Sequence, residues 1–265
     1  QILMEELTQH GEMGFFLWLH SRLVGPYIDE FGTEEQKERW LPTCISGESI
    51  LAIAMTEPGA GSDLAGIRTK AEDKGDHFLL NGAKTYISNG ILADLVIVAA
   101  RTDPDSKRGI SLFVIERGME GFERGANLAK IGLKSQDTAE LFFNNVKVPK
   151  ENLLGQPHRG FYHMMHGLVE ERLLAAVGFV ANAEAAFDVT MEYVKERHAF
   201  GQPIAAFQNT RFKLADMRTE IDVARAFVDQ CVMQHNDGKL SADDAAKAKL
   251  FTSELEGRVT DECLQ

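Results

Sequence analysis

The chain has 265 residues, 44% hydrophobic and 26% charged, with a formal net charge of −12. This is the composition of an ordinary globular protein, long enough for one large domain or two to three small ones. The acidic balance argues against a nucleic-acid or anionic-membrane surface, and no apolar run reads as a membrane span. Cys44, Cys231 and Cys263 are odd in number and widely spaced. They show neither metal-ligand spacing nor disulfide density, which points to a reducing compartment and no metal site.

Residues 1–48 read as helical. Ile2, Leu3 and Leu7, then Phe15, Phe16, Leu19 and Leu23, recur at helical spacing. Gly25-Pro26 allows a break. Thr33-Glu34-Glu35-Gln36 is a capping box opening a helix through Trp40, which Pro42 and Gly47 should end. Gln1 already stands inside a helical pattern, so any targeting segment lies out of view.

Residues 49–150 change period. Strands are expected at 51–57, 67–73, 77–83, 95–101, 111–116 and 140–148, several alternating apolar with polar residues. Six strands without intervening helices suggest a compact antiparallel barrel or sandwich. The first leads into Met55-Thr56-Glu57-Pro58-Gly59-Ala60-Gly61-Ser62-Asp63. Its glycines permit left-handed backbone and close approach to a ligand, and its exposed N–H groups can form an anion-binding nest. Thr56 and Ser62 add hydroxyls. Taken alone, the motif is equally a β-turn with a polar lip.

Tyr86-Ile87-Ser88-Asn89-Gly90 follows the third strand. An aromatic ring two residues before a hydroxyl can stack on a flat ring and bond its edge, or simply pack at a strand end. Ile131-Gly132-Leu133-Lys134-Ser135-Gln136-Asp137-Thr138 is a polar turn before the last strand.

From Gly160 the pattern is helical. Helices are expected over about 160–198 and 206–237, with Gly238 as a C-cap, and a third opens at Ser241 with acids in its first turn. Long helices with short connections form an antiparallel bundle. The pattern continues to Gln265, so the sequence reads as part of a longer polypeptide. In the first of these helices Phe161, Met164, Leu168, Glu171 and Ala175 fall at intervals of 3, 4, 3 and 4. A Glu on that stripe is either paired, for instance with Arg172, or functional, because burying it unpaired is costly. Between the first two helices lies Arg197-His198-Ala199-Phe200-Gly201-Gln202-Pro203-Ile204, ending at Phe207-Gln208. Arg197 offers a planar fork suited to phosphate.

Taken together, M-T-E-P-G-A-G-S-D, N-G-x-K-x-Y-I-S-N-G and I-G-L-K-S-Q-D-T resemble the acyl-CoA dehydrogenase family in order and spacing, and nearest its long-chain branch. The resemblance runs over essentially the whole chain. It implies an α+β fold: the end of an N-terminal helical domain (1–48), a middle β-domain holding the flavin and substrate pocket (49–155), and an incomplete C-terminal helical bundle (156–265). The cofactor it implies is FAD. Met55, Thr56, Gly61, Ser62, Tyr86 and Ser88 would line the flavin, and Ser62 would also meet substrate. Tyr86 stands where the family often has Trp, Ser88 where it often has Thr, and Lys134 where relatives often have Arg.

R-x-x-F-G-x-P-I-x-x-F-Q is similar to the family's FAD signature. Arg197 and Phe200 would reach the pyrophosphate or adenine side of FAD held mainly by a neighbouring subunit, with Gln208 close by. That implies a homo-oligomer, a tetramer built as a dimer of dimers. Most of the family takes its catalytic base from a later Glu, beyond this sequence. The long-chain and isovaleryl types use a Glu of this helix just before an Arg, a pattern that Glu171-Arg172 matches. Glu171 is therefore expected as base, Glu170 as its reserve, and Arg172 on the CoA moiety.

The implied reaction is oxidation of a saturated acyl-CoA, of the long-chain fatty type, to the trans-2-enoyl-CoA in fatty acid β-oxidation. Electrons would pass to an electron-transferring flavoprotein. The alternatives are an acyl-CoA oxidase using O2 and a catalytically inactive acyl-CoA-binding homologue. The expected location is the cytoplasm in a bacterium or the mitochondrial matrix in a eukaryote, and not outside the cell.

Overall fold

The computed structural model describes residues 1–12 and 14–265; Met13, within the stretch read as helical, lies outside the described residues. Two compact units form, Gly14–Gly167 and the first helix with Leu168–Gln265.

The first unit is built on one eight-stranded sheet. Its strands are β1 (Leu51–Ala54), β2 (Lys70–Asp73), β3 (His77–Ser88), β4 (Leu95–Arg101), β5 (Ile110–Glu116), β6 (Phe122–Asn127), β7 (Thr138–Pro149) and β8 (Leu153–Leu154). The order is β6-β7-β3-β2-β4-β5-β8, with β1 paired to β4. Pairing is antiparallel except for β1 and β2 against β4. Strands β6 and β8 were not expected from the sequence. Phe122–Asn127 includes three polar side chains and a glycine, and β8 is only two residues long, so neither shows a clear alternation. Strand β3 runs to Ser88, so Tyr86 and Ser88 lie within the strand rather than after it.

The apolar run of β4 and β5 is explained by burial on both faces. Leu95, Ile97, Ala99, Ile110, Leu112 and Val114 join one core with the preceding helices. Val96, Val98, Ala100, Phe113 and Ile115 face a second core with Phe78, Leu80, Leu141, Val146 and Val148. Successive side chains of a strand point to opposite faces, so a strand covered on both sides needs no polar residues. Truncating a fully buried member such as Leu141 to Ala should cost roughly 2–5 kcal/mol.

The helices of this unit differ from expectation in two ways. Gly25-Pro26 does not break the chain's helical course. A π-helical turn, Leu19–Val24, leads directly into α2 (Gly25–Phe31), where Pro26 occupies a first-turn position that needs no N–H partner. Pro42 lies inside α3 (Glu34–Ser46), which ends at Gly47 with φ 79°. The capping box is present as read. Gln36 closes it and also donates through Nε2 to Glu151 O (2.7 Å) and Leu153 O (2.9 Å), tying α3 to the sheet edge. Phe15 and Phe16, assigned by spacing to a helix, lie in irregular chain.

The second unit contains α1 (Ile2–Gln9), most of α4 (Gly160–Glu196), α5 (Gln208–Asn236) and α6 (Ala242–Leu264). Contacts between Glu170 and His235 and between Glu184 and Arg225 run α4 against α5 antiparallel. Lys213 with Glu262 and Glu220 with Arg258 do the same for α5 and α6. Leu173, Val177, Val180, Ile221, Val228, Leu255 and Val259 form the core. The Arg225 guanidinium also pairs with Glu5 of α1. Gly238 follows α5 at φ 68°, and Lys239 N–H reaches back to Gln234 O, a Schellman-type ending. Ser241 caps α6 by accepting from Asp244 N–H (3.0 Å). By length and composition α4 is apolar enough to cross a membrane, which corrects the reading that no run is. Its apolar residues are those of a bundle helix, because Leu173, Ala176, Val177 and Val180 are buried in this core. All three cysteines are free.

Candidate functional site

Two edges of a candidate site are formed where the last residues of β3 meet β1 and the segment that follows it. After Ala54 the chain passes through Met55 and Thr56 into a turn closed by two backbone bonds, Glu57 N–H to Ala60 O (2.9 Å) and Ala60 N–H to Glu57 O (3.1 Å). Gly59 and Gly61 have no positive φ, so they do not serve a left-handed turn as expected. What they provide is room: a Cβ on either would meet nothing within 4 Å. The turn itself does not need these glycines, and the space above them stays open for a ligand. Ser62 is exposed beside Gly61.

Below this turn lies a buried ion pair that sequence reasoning missed. Lys84 is fully buried and donates to Glu57 Oε1 (2.9 Å) and to Met55 O (3.0 Å). Glu57 also accepts from the backbone N–H of Arg68 (2.6 Å) and Thr69 (3.0 Å). Burial pushes the Glu57 carboxyl up, but Lys84 and these N–H groups outweigh it and hold the group below its ordinary value. Burial draws the Lys84 ammonium down to about 8, against the opposing pull of Glu57. The signal was available. Alternation along β3 puts Lys84 on the same face as Phe78 and Leu80, and a Lys on a buried face requires a buried partner.

Immediately after Lys84 the β3–β7 register slips, and Tyr86 adopts φ 58°. Left-handed backbone is uncommon for a bulky residue. Here it turns the Tyr86 ring outward, 70% exposed, while Ile87 returns to the core. Thr85 N–H donates to Thr56 O (3.0 Å), joining this bulge to the first motif. Ser88, half-buried, pairs with Thr138 at the start of β7. Asn89, also left-handed at φ 60°, donates to Leu51 O (2.9 Å) and accepts from Gln136 Nε2 (2.7 Å). Asp137 accepts from Ile91 N–H (2.7 Å). The three motifs are thus laced together by side chains, with Asn89 and Gln136 as further residues that the sequence reading left without a role.

Beside Asn89 and Gln136 opens a cavity of about 850 Å³ within the same unit, lined on one part by Phe15, Phe16, Leu41 and Ile45 and on another by His20, Arg22, Asp29 and Asp137. It is within the size range of small-molecule sites.

The remaining candidates belong to the helical unit. Glu170, Glu171 and Arg172 are half-buried on α4. The apolar stripe expected to carry Glu171 proves to be two stripes. Phe161 and Met164 pack in the sheet unit's core, and from Leu173 onward the buried face is that of the bundle. At about 100° per residue, Glu171 lies roughly 160° round the helix from Leu173, and Glu170 roughly 60°. Glu171 therefore faces away from the bundle's own core, and Glu170 lies at its edge, 3.9 Å from His235. Arg197 is exposed at the end of α4. It enters a two-residue hairpin, His198–Ala199 against Gln202–Pro203, with Phe200 at φ 53° and Gly201 at φ 81°. Both central residues are left-handed, as a type I′ turn requires. This holds the Phe200 ring 96% exposed. Gln208, exposed, opens α5.

Outward aromatics, a glycine turn with open space and an exposed guanidinium are groups that fit a flat, phosphate-bearing cofactor. The sheet unit and the helical unit are those of an acyl-CoA dehydrogenase fold. Models of the N-terminal, middle and C-terminal domains of acyl-CoA dehydrogenase match residues 1–48, 52–146 and 158–265, and the chain belongs to that family. It is similar to the mitochondrial long-chain specific acyl-CoA dehydrogenase of Mus musculus, at 49% identity over 93% of this chain and 58% of the relative. The mitochondrial isovaleryl-CoA dehydrogenase of Pongo abelii is 41% identical over 97% of this chain and 62% of the relative. A crystal structure of an acyl-CoA dehydrogenase from Geobacillus kaustophilus superposes with TM-score 0.98 and 50% identity, over all of this chain and 70% of that one. The chain therefore spans about three-fifths of the length of these curated relatives.

Proposed function

We propose that this protein is an FAD-dependent acyl-CoA dehydrogenase acting on long-chain saturated acyl-CoA. The observation that carries the reading is the laced pair of edges, with Tyr86 turned outward one residue beyond the Thr85–Thr56 bond and open space at the glycine turn that follows Thr56. In this reading Met55, Thr56, Gly61, Ser62, Tyr86 and Ser88 hold the flavin. Arg197, Phe200 and Gln208 serve the flavin of a neighbouring subunit in a tetramer. FAD, when bound, supplies the acceptor for the hydrogen that leaves the β-carbon as hydride.

The chain's own part is proton removal and binding. Glu171 takes the α-proton on its carboxylate, with Glu170 as reserve, and Arg172 and Ser62 bind the CoA thioester. General-base removal of this kind contributes about 10²–10⁴-fold in rate. The long-chain preference is supported by the similarity to the long-chain specific relative of Mus musculus and by the placing of Glu171 just before Arg172. The division into 1–48, 49–155 and 156–265 belongs to this proposal, as do electron transfer to an electron-transferring flavoprotein and a location in the bacterial cytoplasm or mitochondrial matrix.

The test is anaerobic titration of the complete, FAD-loaded protein with a long-chain saturated acyl-CoA, watching the visible flavin band. Bleaching at stoichiometric substrate supports dehydrogenation. Bleaching only by short or branched thioesters would overturn the long-chain assignment. Rapid return of colour in air would reassign the protein as an oxidase. No bleaching by any thioester, with flavin bound, would leave an inactive homologue.

A further inference from the structure

We propose that Lys84 is a positioning residue for the bound flavin: through Glu57 and Met55 O it holds the glycine turn against the Tyr86 bulge, and so fixes the spacing of the two edges that grip the ring. The inference rests on the flavin reading above.

Three observations carry it. First, Lys84 links the two edges directly. Its ammonium belongs to β3, one residue before Thr85 and two before Tyr86, and both of its partners belong to the Met55–Glu57 segment. A second link, Thr85 N–H to Thr56 O, lies beside it. Second, neither partner is placed to touch a ligand. Lys84 has no exposed surface, and the Glu57 carboxylate is occupied by Lys84 and by the Arg68 and Thr69 N–H groups. Third, a buried ion pair is a poor source of net stability, because desolvation offsets most of the attraction and apolar pairs of similar volume often do as well. It does fix geometry, since a charged hydrogen bond has a narrow range of length and direction. The backbone on both sides is unusual enough to need such a hold. Tyr86 is left-handed at a register slip, and the opposing turn has two glycines with open space around them. Such conformations persist where surrounding contacts over-determine them.

The experiment compares the complete protein with the Lys84→Met/Glu57→Gln double variant, which removes both charges and strands neither. Three quantities are read: FAD dissociation constant, visible circular dichroism of the bound flavin, and thermal unfolding of the FAD-free protein. The expected result is FAD binding weakened at least tenfold with an altered flavin dichroism band, and an FAD-free unfolding temperature within a few degrees of the parent. Affinity within twofold and an unchanged band would overturn the proposal. Should the double variant not fold, Glu57→Asp keeps the charge but shortens the reach by one methylene. It should weaken FAD about threefold and shift the band in the same sense, and an unchanged band there also overturns the proposal. A parent protein that binds no FAD at all would instead sink the flavin reading.

Discussion

The sheet unit and the helical unit offer their candidate groups in opposite ways. In the sheet unit, Thr56, Tyr86 and Asn89 sit on backbone that is fixed from beneath by Lys84, Glu57, Gln136 and Asp137. In the helical unit, Arg197, Phe200 and Gln208 are exposed, and Glu171 faces away from the bundle core. The first arrangement is preorganised, so ligand geometry and folding draw on the same buried contacts. The second displays Arg197, Phe200 and Gln208 on a hairpin and a helix end, where their side chains are exposed and can be changed with little loss of stability.

That contrast can be broken by experiment. The largest effect is expected from Glu171→Gln in the complete protein, where the rate of flavin reduction by substrate should fall by about 10²–10⁴-fold. Bound flavin should be retained, which the flavin content of the purified variant checks. Full activity would remove Glu171 as the base. In the sheet unit, Glu57→Gln should cost about 3 kcal/mol at neutral pH, because Lys84 is left buried without its counter-charge. The penalty is pH-dependent. The Glu57 carboxyl is held below its ordinary 4.5, so in acid the unfolded chain takes up the proton first. The parent's advantage is complete above about pH 4.5 and shrinks as pH falls through the folded value. Urea denaturation of the parent and of the Lys84→Met/Glu57→Gln variant, which lacks both titrating groups, at pH 7 and pH 4 checks this, and a parent whose stability gains on that variant in acid would contradict it.

Arg197→Ala sharpens the comparison from the helical side. It should weaken FAD retention by about 10–100-fold, the worth of a charged hydrogen bond, while the unfolding temperature stays near that of the parent. Equal FAD affinity would refute the cross-subunit role. The smallest effect is expected at Thr33→Ala, which removes the cap of α3. Stability should fall by about 1 kcal/mol, with FAD binding unchanged.

The sequence by itself determined the fold class, the long helices and most strands, because these rest on local signals. Apolar spacing marks α4, α5 and α6, Thr33 and Ser241 announce helix starts, and β4 and β5 are continuous apolar runs. It also placed the three motifs of the sheet unit, by their resemblance to a family. Only the tertiary structure decided what holds those motifs. Lys84 and Glu57 are 27 positions apart, and Asn89 and Gln136 are 47 apart. No local pattern reports such partners, since pairing depends on which strands become neighbours. The same reason divides the apolar stripe of α4. One run of spacing served two different cores, and the three-dimensional packing alone shows that Leu173 turns inward to the bundle while Glu171 does not.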